Sequence, residues 1–76
     1  MSKLKSVYFL DDVWNLEDAM SWMTAHRLGW LSVRHEGRQW RFVIRPKEEF
    51  SRFRVLVKWT RYGGLFRKVY LVIGFP

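Results

Sequence analysis

The residues of this sequence best suited to binding chemistry lie between Arg34 and Arg61. There an arginine or lysine recurs every two or three positions among tryptophan, phenylalanine, valine and isoleucine. Guanidinium and ammonium groups bind phosphates and carboxylates, and aromatic rings between them can stack on bases. The segment indicates either a surface for a polyanion or the hydrated side of a β-sheet, where long cations cover apolar surface with their stems.

Residues for catalysis are few and poorly grouped. The chain has no cysteine, and none of its serines lies in a nucleophile motif. His26 and His35 are far apart in sequence, and a histidine at a helix end is most often a surface residue that suits the helix dipole. Asp11 and Asp12 precede the predicted helix, a position typical of turns and caps. We therefore expect a protein that is not an enzyme.

Ligand-binding motifs are also missing from the sequence. A metal site could be assembled from His26, His35 and Glu36 only on paper, and Gly37 and the Gly63–Gly64 pair belong to no phosphate-binding loop. We expect no metal and no cofactor. There is no aromatic box of the RNA-recognition type, no GXXG loop and no zinc-finger spacing. If nucleic acid is the partner, the residues favour phosphate contact over base-specific readout.

Length, composition and charge place the chain among small folded basic domains. Its 76 residues are 49% hydrophobic and 18% aromatic, which predicts one folded domain over 1–76. Residues 27–76 hold twelve Lys or Arg against three acidic residues, a net charge of +9 that favours a polyanionic or acidic partner. The absence of cysteine and the short apolar patch near the start predict a soluble, cytoplasmic protein.

The first part of the chain predicts a strand followed by a helix. Residues 6–10 are rich in β-branched and aromatic types. Asn15 can cap a helix, acidic residues follow in the first turn, and apolar residues then recur every three or four positions. We predict a helix over 16–28 with Gly29 as a left-handed C-cap. Its buried face is expected to hold Leu16, Ala19, Met20 and Met23, with Trp22 at its margin.

After the helix the apolar residues alternate with polar ones, which is the period of a strand. Glu36 and Gly37 supply the turn of a hairpin, and Pro46 ends its second strand. The run that follows Pro46 predicts a single helical turn that places Phe50 and Phe53 against the core.

Two further strands flank the predicted turn at Gly63 and Gly64. The last strand is apolar at nearly every position, as in a strand buried on both faces. The predicted fold is α+β with the order β-α-β-β-(short α)-β-β, a mostly antiparallel sheet and one main helix packed on one face.

Alternation within the strands also predicts which side chains share a face. The inward positions are expected to be Trp40, Phe42, Ile44, Val55, Val57 and Trp59. The cations hold the opposite parity, which predicts a basic face opposite the helix made of Arg34, Arg41, Arg45, Arg54 and Lys58. The Gly-rich turn adds Arg61, Tyr62, Phe66, Arg67 and Lys68 as candidate contacts, and Tyr70 has the outer parity. Trp14 and Trp30 flank the helix and are expected to cover the core.

Three stretches of the sequence resemble a family. "VWNLEDAMSWMTAH", "RFVIRPKEEFSRFR" and "VYLVIGF" are similar to small domains encoded in bacteriophage and prophage gene clusters. The matching positions are Trp14, Asp18, Ala19, Trp22, His26, Arg41, Phe42, Arg45, Pro46, Phe50, Ile73 and Gly74. This sequence departs from the pattern by adding "VKWTRYGGLFRK" before the last strand. The resemblance implies a viral context and assigns no site.

Two functions follow as hypotheses. The first is a nucleic-acid-binding module that holds DNA or RNA on its basic sheet face and Gly-rich hairpin. The alternative is a protein-interaction module, such as a virion component or an inhibitor of a host protein, that docks an acidic surface or forms a homodimer. Exposed Tyr62 and Phe66 would favour stacking or an interface anchor. We expect no membrane partner, because the first turn of the helix is acidic.

Overall fold

The computed structural model describes all 76 residues and shows one helix on a five-stranded sheet. Its elements are β1 (Lys3–Leu10), α1 (Leu16–Ala25), β2 (Ser32–Glu36), β3 (Gln39–Val43), a 3₁₀ turn (Lys47–Glu49), β4 (Arg52–Tyr62) and β5 (Leu65–Phe75). The strands lie in the order β2-β3-β1-β5-β4, and every neighbouring pair is antiparallel. The predicted α+β fold and order of elements are confirmed. The helix is too short and too polar to cross a membrane.

The helix begins where the sequence predicts and ends three residues early. The Asn15 side chain caps it by accepting a hydrogen bond from the backbone N–H of Asp18 at 2.7 Å. The prediction of Gly29 as the left-handed residue is wrong, because Arg27 takes that conformation with φ 57°. The N–H of Leu28 then donates to the carbonyl of Met23 at 2.9 Å, which closes the end of the helix. This early turn brings Leu28 back against the core.

The core lies between α1 and the sheet. Its buried cluster comprises Val7, Phe9, Trp14, Ala19, Trp22, Met23, Phe42 and Val69. Trp22 is at the centre of the helix's buried face and Met20 is exposed, so their predicted places are reversed. The reason is that Trp22 packs edge-on against Phe9 and its indole N–H donates to Thr60 Oγ1 at 3.1 Å. Trp14 is buried as predicted, and Trp30 packs partly buried beside the core.

The register of the sheet defines its two sides. Residues directly opposite one another on neighbouring strands point the same way. Arg34, Arg41, Tyr8, Tyr70 and Val57 form such a row across all five strands, and they point away from the helix. We call the side chains that share this direction the outer face. They are Ser32, Arg34 and Glu36 on β2, Gln39, Arg41 and Val43 on β3, Lys3, Ser6, Tyr8 and Leu10 on β1, Phe66, Lys68, Tyr70 and Val72 on β5, and Phe53, Val55, Val57, Trp59 and Arg61 on β4.

Strand β4 has the parity opposite to the predicted one. Val55, Val57 and Trp59 were expected in the core, but they lie exposed on the outer face. Arg54 and Lys58, expected on the outer face, lie on the helix side, where they pair with Ile73 and Val69. The cause is that the helix side of β4 is fixed by its last residues. Tyr62 packs on Trp14 and Thr60 bonds Trp22, so every second residue before them must face the helix side.

The phenylalanines after Pro46 also pack differently from the prediction. The turn over Lys47–Glu49 is present, but Phe53 is exposed on the outer face and Phe50 lies over Gly74. The two rings meet edge to face with centroids 6.0 Å apart. They therefore cover one end of the outer face and not the helix-side core.

Candidate nucleic-acid interface

The outer face is an uncovered sheet surface that carries large aromatic side chains. Trp59 is 59% exposed and Phe66 is 70% exposed. Both lie on the β4–β5 hairpin, whose turn is made by Gly63 and Gly64 with φ angles of 62° and 82°. These positive angles match the tight turn of a two-residue hairpin, which fixes the pairing of β4 with β5. The hairpin thus holds two exposed rings on one side of a regular strand pair.

A cation accompanies each exposed ring. The Lys68 ammonium lies 5.1 Å from the centre of the Trp59 ring, and the Arg61 guanidinium lies 6.0 Å from that of Phe66. The Arg41 guanidinium likewise lies 5.3 Å from the centre of the Tyr8 ring. Each contact contributes about 0.5–1 kcal/mol at an exposed site, so it orders the cation without burying the ring. The surface therefore offers flat apolar rings with positive charge beside them.

The charges at the hairpin end are free to take an external anion. Neither Arg61 nor Lys68 has a carboxylate within ion-pair distance. At the opposite edge, Glu36 faces both Arg34 and Arg41, at 3.7 and 3.9 Å, and partly neutralises them. The unpaired positive charge of the outer face is accordingly strongest along β4 and β5.

The structure divides nine of the ten predicted contact residues between the two sides of the sheet and places the tenth, Arg45, outside it. Five lie on the outer face: Arg34, Arg41, Arg61, Phe66 and Lys68. Four lie on the helix side: Arg54, Lys58, Tyr62 and Arg67. Arg45 follows β3, outside the sheet, and its guanidinium bonds Glu49 at 3.4 Å. The predicted basic face is thus divided between the two sides of the sheet.

Arg67 and Tyr62 serve the fold. The Arg67 side chain is 14% exposed, and its guanidinium donates to Asp18 Oδ2 at 2.9 Å. It also lies 4.9 Å from the Trp14 ring and 5.4 Å from the Tyr62 ring. Tyr62 is half-buried against Trp14, while Phe66 is exposed, so the two residues proposed as joint anchors have different roles.

A cavity of about 660 Å³ lies at the other end of the outer face. Its lining includes Lys5, Tyr8, Arg41, Phe53 and Tyr70. Lys5 is 5% exposed, and its burial, with Arg41 and Lys47 nearby, lowers the pKa of its ammonium despite the opposing charge of Glu48. Ordinary lysine side chains on a hydrated sheet face are not buried in this way.

The sequence did not identify Tyr8, Phe53 and Trp59 of the outer face as candidate contacts, nor Lys5, which lines the cavity beside it. The signal for Lys5 was present, since Leu4 and Val7 are both apolar and three positions apart, a spacing that strict alternation does not place on one face. The structure has an irregularity in β1 between Leu4 and Ser6. For Trp59 no local signal exists, because its parity depends on contacts made by Thr60 and Tyr62.

The polar groups considered for catalysis are arranged as structural contacts. His35 Nε2 lies 2.7 Å from Asp11 Oδ2, and its ring stacks on Trp40 with centroids 4.1 Å apart. His26 is at the end of the helix, with Nδ1 2.9 Å from the carbonyl oxygen of Trp22. No group of three His, Asp or Glu residues is close enough to hold a metal ion. Asp11 and His35 tie the loop after β1 to the β2–β3 hairpin.

Comparisons of the chain with protein-family models, with curated proteins and with solved structures gave no match.

Proposed function

We propose that this protein is a non-enzymatic module that binds single-stranded nucleic acid on the outer face of its sheet. The observation that carries the proposal is the pair of exposed rings, Trp59 and Phe66, beside the unpaired cations Lys68 and Arg61. Rings of this kind stack on bases of any sequence, and adjacent cations bind the phosphates. The resemblance to bacteriophage domains adds a viral context to the proposal, and the lack of cysteine fits a cytoplasmic location.

A single strand fits this face better than a duplex. In a duplex the flat faces of the bases are stacked on one another and are hidden from protein rings. A single strand can splay its bases onto an open sheet while its backbone follows the cations. The face is open along β4 and β5, which are eleven residues each, or about 36 Å at the usual rise per residue.

Two charge-matched double variants test the proposal. Arg61→Ala with Lys68→Ala removes two cations from the outer face, and Arg54→Ala with Lys58→Ala removes two from the helix side of the same hairpin. Both variants carry the same net charge and leave every ion pair intact. The affinities are measured by fluorescence anisotropy across a salt series, with labelled single-stranded and duplex oligonucleotides of about 15 nucleotides.

We expect the outer-face variant to bind a single strand much more weakly, with the slope of log K against log salt reduced by about 1.4, since each lost phosphate contact removes about 0.7. The helix-side variant should keep most of the affinity and the slope. Equal losses in the two variants would mean that only net charge attracts the strand, and the proposed face would be wrong. Tighter binding of the duplex would also contradict it.

The edge strand β4 favours a second function, self-association. All eleven residues of β4 pair with β5 on one side only, and Val55, Leu56 and Val57 are exposed. An exposed edge strand that is apolar at its centre is a template for pairing with a second copy. Sedimentation over a range of protein concentrations tests this, with Val57→Lys as the variant that should abolish a dimer. A monomer at high concentration would rule it out.

A further inference from the structure

Lys5 is the one charged residue that the fold buries, and it has no partner. The residue is 5% exposed, and its side chain takes part in no ion pair or hydrogen bond. Its ammonium lies 5.8 Å from the centre of the Phe53 ring. The nearby charge of Glu48 offsets only part of the cost of desolvating Lys5, and a buried cation without an ion pair destabilises the folded state, so we infer that Lys5 does not serve stability.

The backbone of β1 holds Lys5 in this position. The strand is irregular between Leu4 and Ser6, and an extra residue of this kind redirects a side chain. The Lys5 carbonyl accepts hydrogen bonds from the N–H groups of Ile44, at 2.8 Å, and Arg45, at 3.1 Å. These two bonds fix the irregular residue to the chain that follows β3, and the Lys5 side chain lines the outer-face cavity.

The lining of the cavity carries positive and no negative side chains, and Glu36 and Glu48, which lie near Arg41 and Lys5, are outside it. Besides Lys5 it is lined by Arg41 and Lys47, and none of its lining residues is acidic. The Nε of Arg41 is buried and has no hydrogen-bond partner. Two donors without an acceptor, the ammonium of Lys5 and the Nε–H of Arg41, thus belong to residues that line the same space, which is an arrangement suited to a bound anion.

The rest of the lining is apolar and aromatic. Tyr8 and Tyr70 are directly opposite each other on β1 and β5, and Phe53 closes one side. The volume of about 660 Å³ is in the range of small-molecule sites.

We propose that this cavity binds a phosphate ester that carries a flat aromatic group, with the phosphate on Lys5, Arg41 and Lys47 and the ring on Tyr8 and Tyr70. A nucleotide has this chemistry, either free or within a strand. In the second case the inference rests on the proposed function and places one nucleotide of the strand in the cavity. The Trp59 end of the outer face then holds its neighbours.

The test is a titration with adenosine 5′-monophosphate, followed by amide and side-chain NMR shifts of the full chain. Adenosine and inorganic phosphate are the two partial probes. Lys5→Met removes the charge and keeps an unbranched side chain one atom shorter, and Lys3→Met, on the exposed start of the same strand, is its control. Lys47→Gln is a second variant on an exposed residue, so the proposal stays testable should Lys5→Met fold poorly.

We expect saturable shifts around Tyr8 and Tyr70, at least tenfold weaker binding of either partial probe, and about tenfold or more loss in Lys5→Met, as for a lost charged hydrogen bond. Lys47→Gln should lose less affinity for the nucleotide than Lys5→Met, and Lys3→Met should bind it as tightly as the unaltered protein. The bound phosphate should also raise the pKa of Lys5, measured from its Cε shift, which a distant anion would not do.

Several outcomes would overturn the assignment: no saturation at millimolar nucleotide, equal binding of inorganic phosphate and nucleotide, or equal losses in Lys5→Met and Lys3→Met. The strand assay separates this inference from the proposed function. If Lys5→Met binds the single strand and the nucleotide as tightly as the unaltered protein does, the cavity is not a nucleotide site. The proposal that the outer face binds the strand is then retained. If the free nucleotide binds with the predicted affinity changes and no single strand binds, the cavity is a nucleotide site and the proposed strand-binding function is wrong.

Discussion

Removing the Trp59 ring should weaken strand binding without unfolding the protein. The ring is more than half exposed, and its main contact is the Lys68 ammonium 5.1 Å from its centre. Trp59→Ala loses this cation–π contact, about 0.5–1 kcal/mol, and little buried area. A single-core domain of this size is stable by about 3–5 kcal/mol, which exceeds the expected loss, so the variant remains folded.

The loss in binding should be larger than the loss in stability. Stacking of one base on an aromatic ring contributes about 1–3 kcal/mol, which is a factor of about 5 to 150 in Kd. Because Trp59 is uncharged, the slope of log K against log salt should stay as in the unaltered protein. This separates the ring from Arg61 and Lys68, whose removal lowers the slope.

Fluorescence anisotropy with a single-stranded oligonucleotide measures both quantities, and urea denaturation measures the stability. Leu65→Ala is the control, since Leu65 is an exposed apolar residue of the same hairpin on its helix side. A change in Kd of less than twofold for Trp59→Ala, or an equal change for Leu65→Ala, would refute stacking at this position.

Three further predictions concern the fold. Gly74→Ala should destabilise the protein by about 1–3 kcal/mol in urea denaturation, because the added methyl group would overlap the Phe50 ring, and a neutral result would show that the ring moves freely. Asn15→Ala should cost about 1 kcal/mol through the lost cap of α1, and Asn15→Asp should restore it in the same assay. The lowered pKa of Lys5 means that the unfolded state binds more protons between this pKa and the ordinary value of 10.5, so stability should rise with pH across that window. Urea denaturation at a series of alkaline pH values should show this rise in the unaltered protein and not in Lys5→Met. If the difference in free energy of unfolding between the two proteins does not change with pH, the pKa of Lys5 is not lowered in the folded state.

Much of the fold was predictable because its signals are local. The Asn15 cap, the turn at Gly37 and the turn at Gly63–Gly64 each depend on a few neighbouring residues, and the structure has all three. The end of the helix was not predictable in the same way. A glycine is the usual left-handed residue, but Arg27 takes this conformation because Leu28 must reach the core.

The faces of β4 were not predictable from alternation alone. Both parities of this strand contain apolar residues, with Val55, Val57 and Trp59 on one side and Leu56 and Tyr62 on the other. Alternation predicts that Val55, Val57 and Trp59 point inward, because a sheet normally buries its apolar side. The helix reaches only the last residues of β4, where Trp22 and Trp14 select Thr60 and Tyr62. Tertiary contacts at one end of β4 thus determine which of its side chains face the helix along the whole strand.

This change of parity also changes the meaning of the basic residues. A hydrated sheet side needs only long cations, whose stems cover the apolar surface. The outer face has exposed rings in addition, and Trp59 and Phe66 contribute little to folding at their exposure. Arg67, on the helix side, has a structural role instead, since its side chain is mostly enclosed by Trp14, Tyr62 and Asp18.

Lys5 gives the strongest reason to regard the outer face as a binding surface. A buried cation without a partner lowers the stability of a domain of 76 residues, which has little stability to lose. If the outer face were only the hydrated side of the sheet, an apolar residue at position 5 would fold better and no function would suffer. Lys5→Met should therefore raise the free energy of unfolding and lower the affinity for nucleotide in the same protein. A variant that gains stability and keeps its affinity would show that Lys5 serves no bound anion, and a variant that loses stability would show that its ammonium has a partner in the folded state.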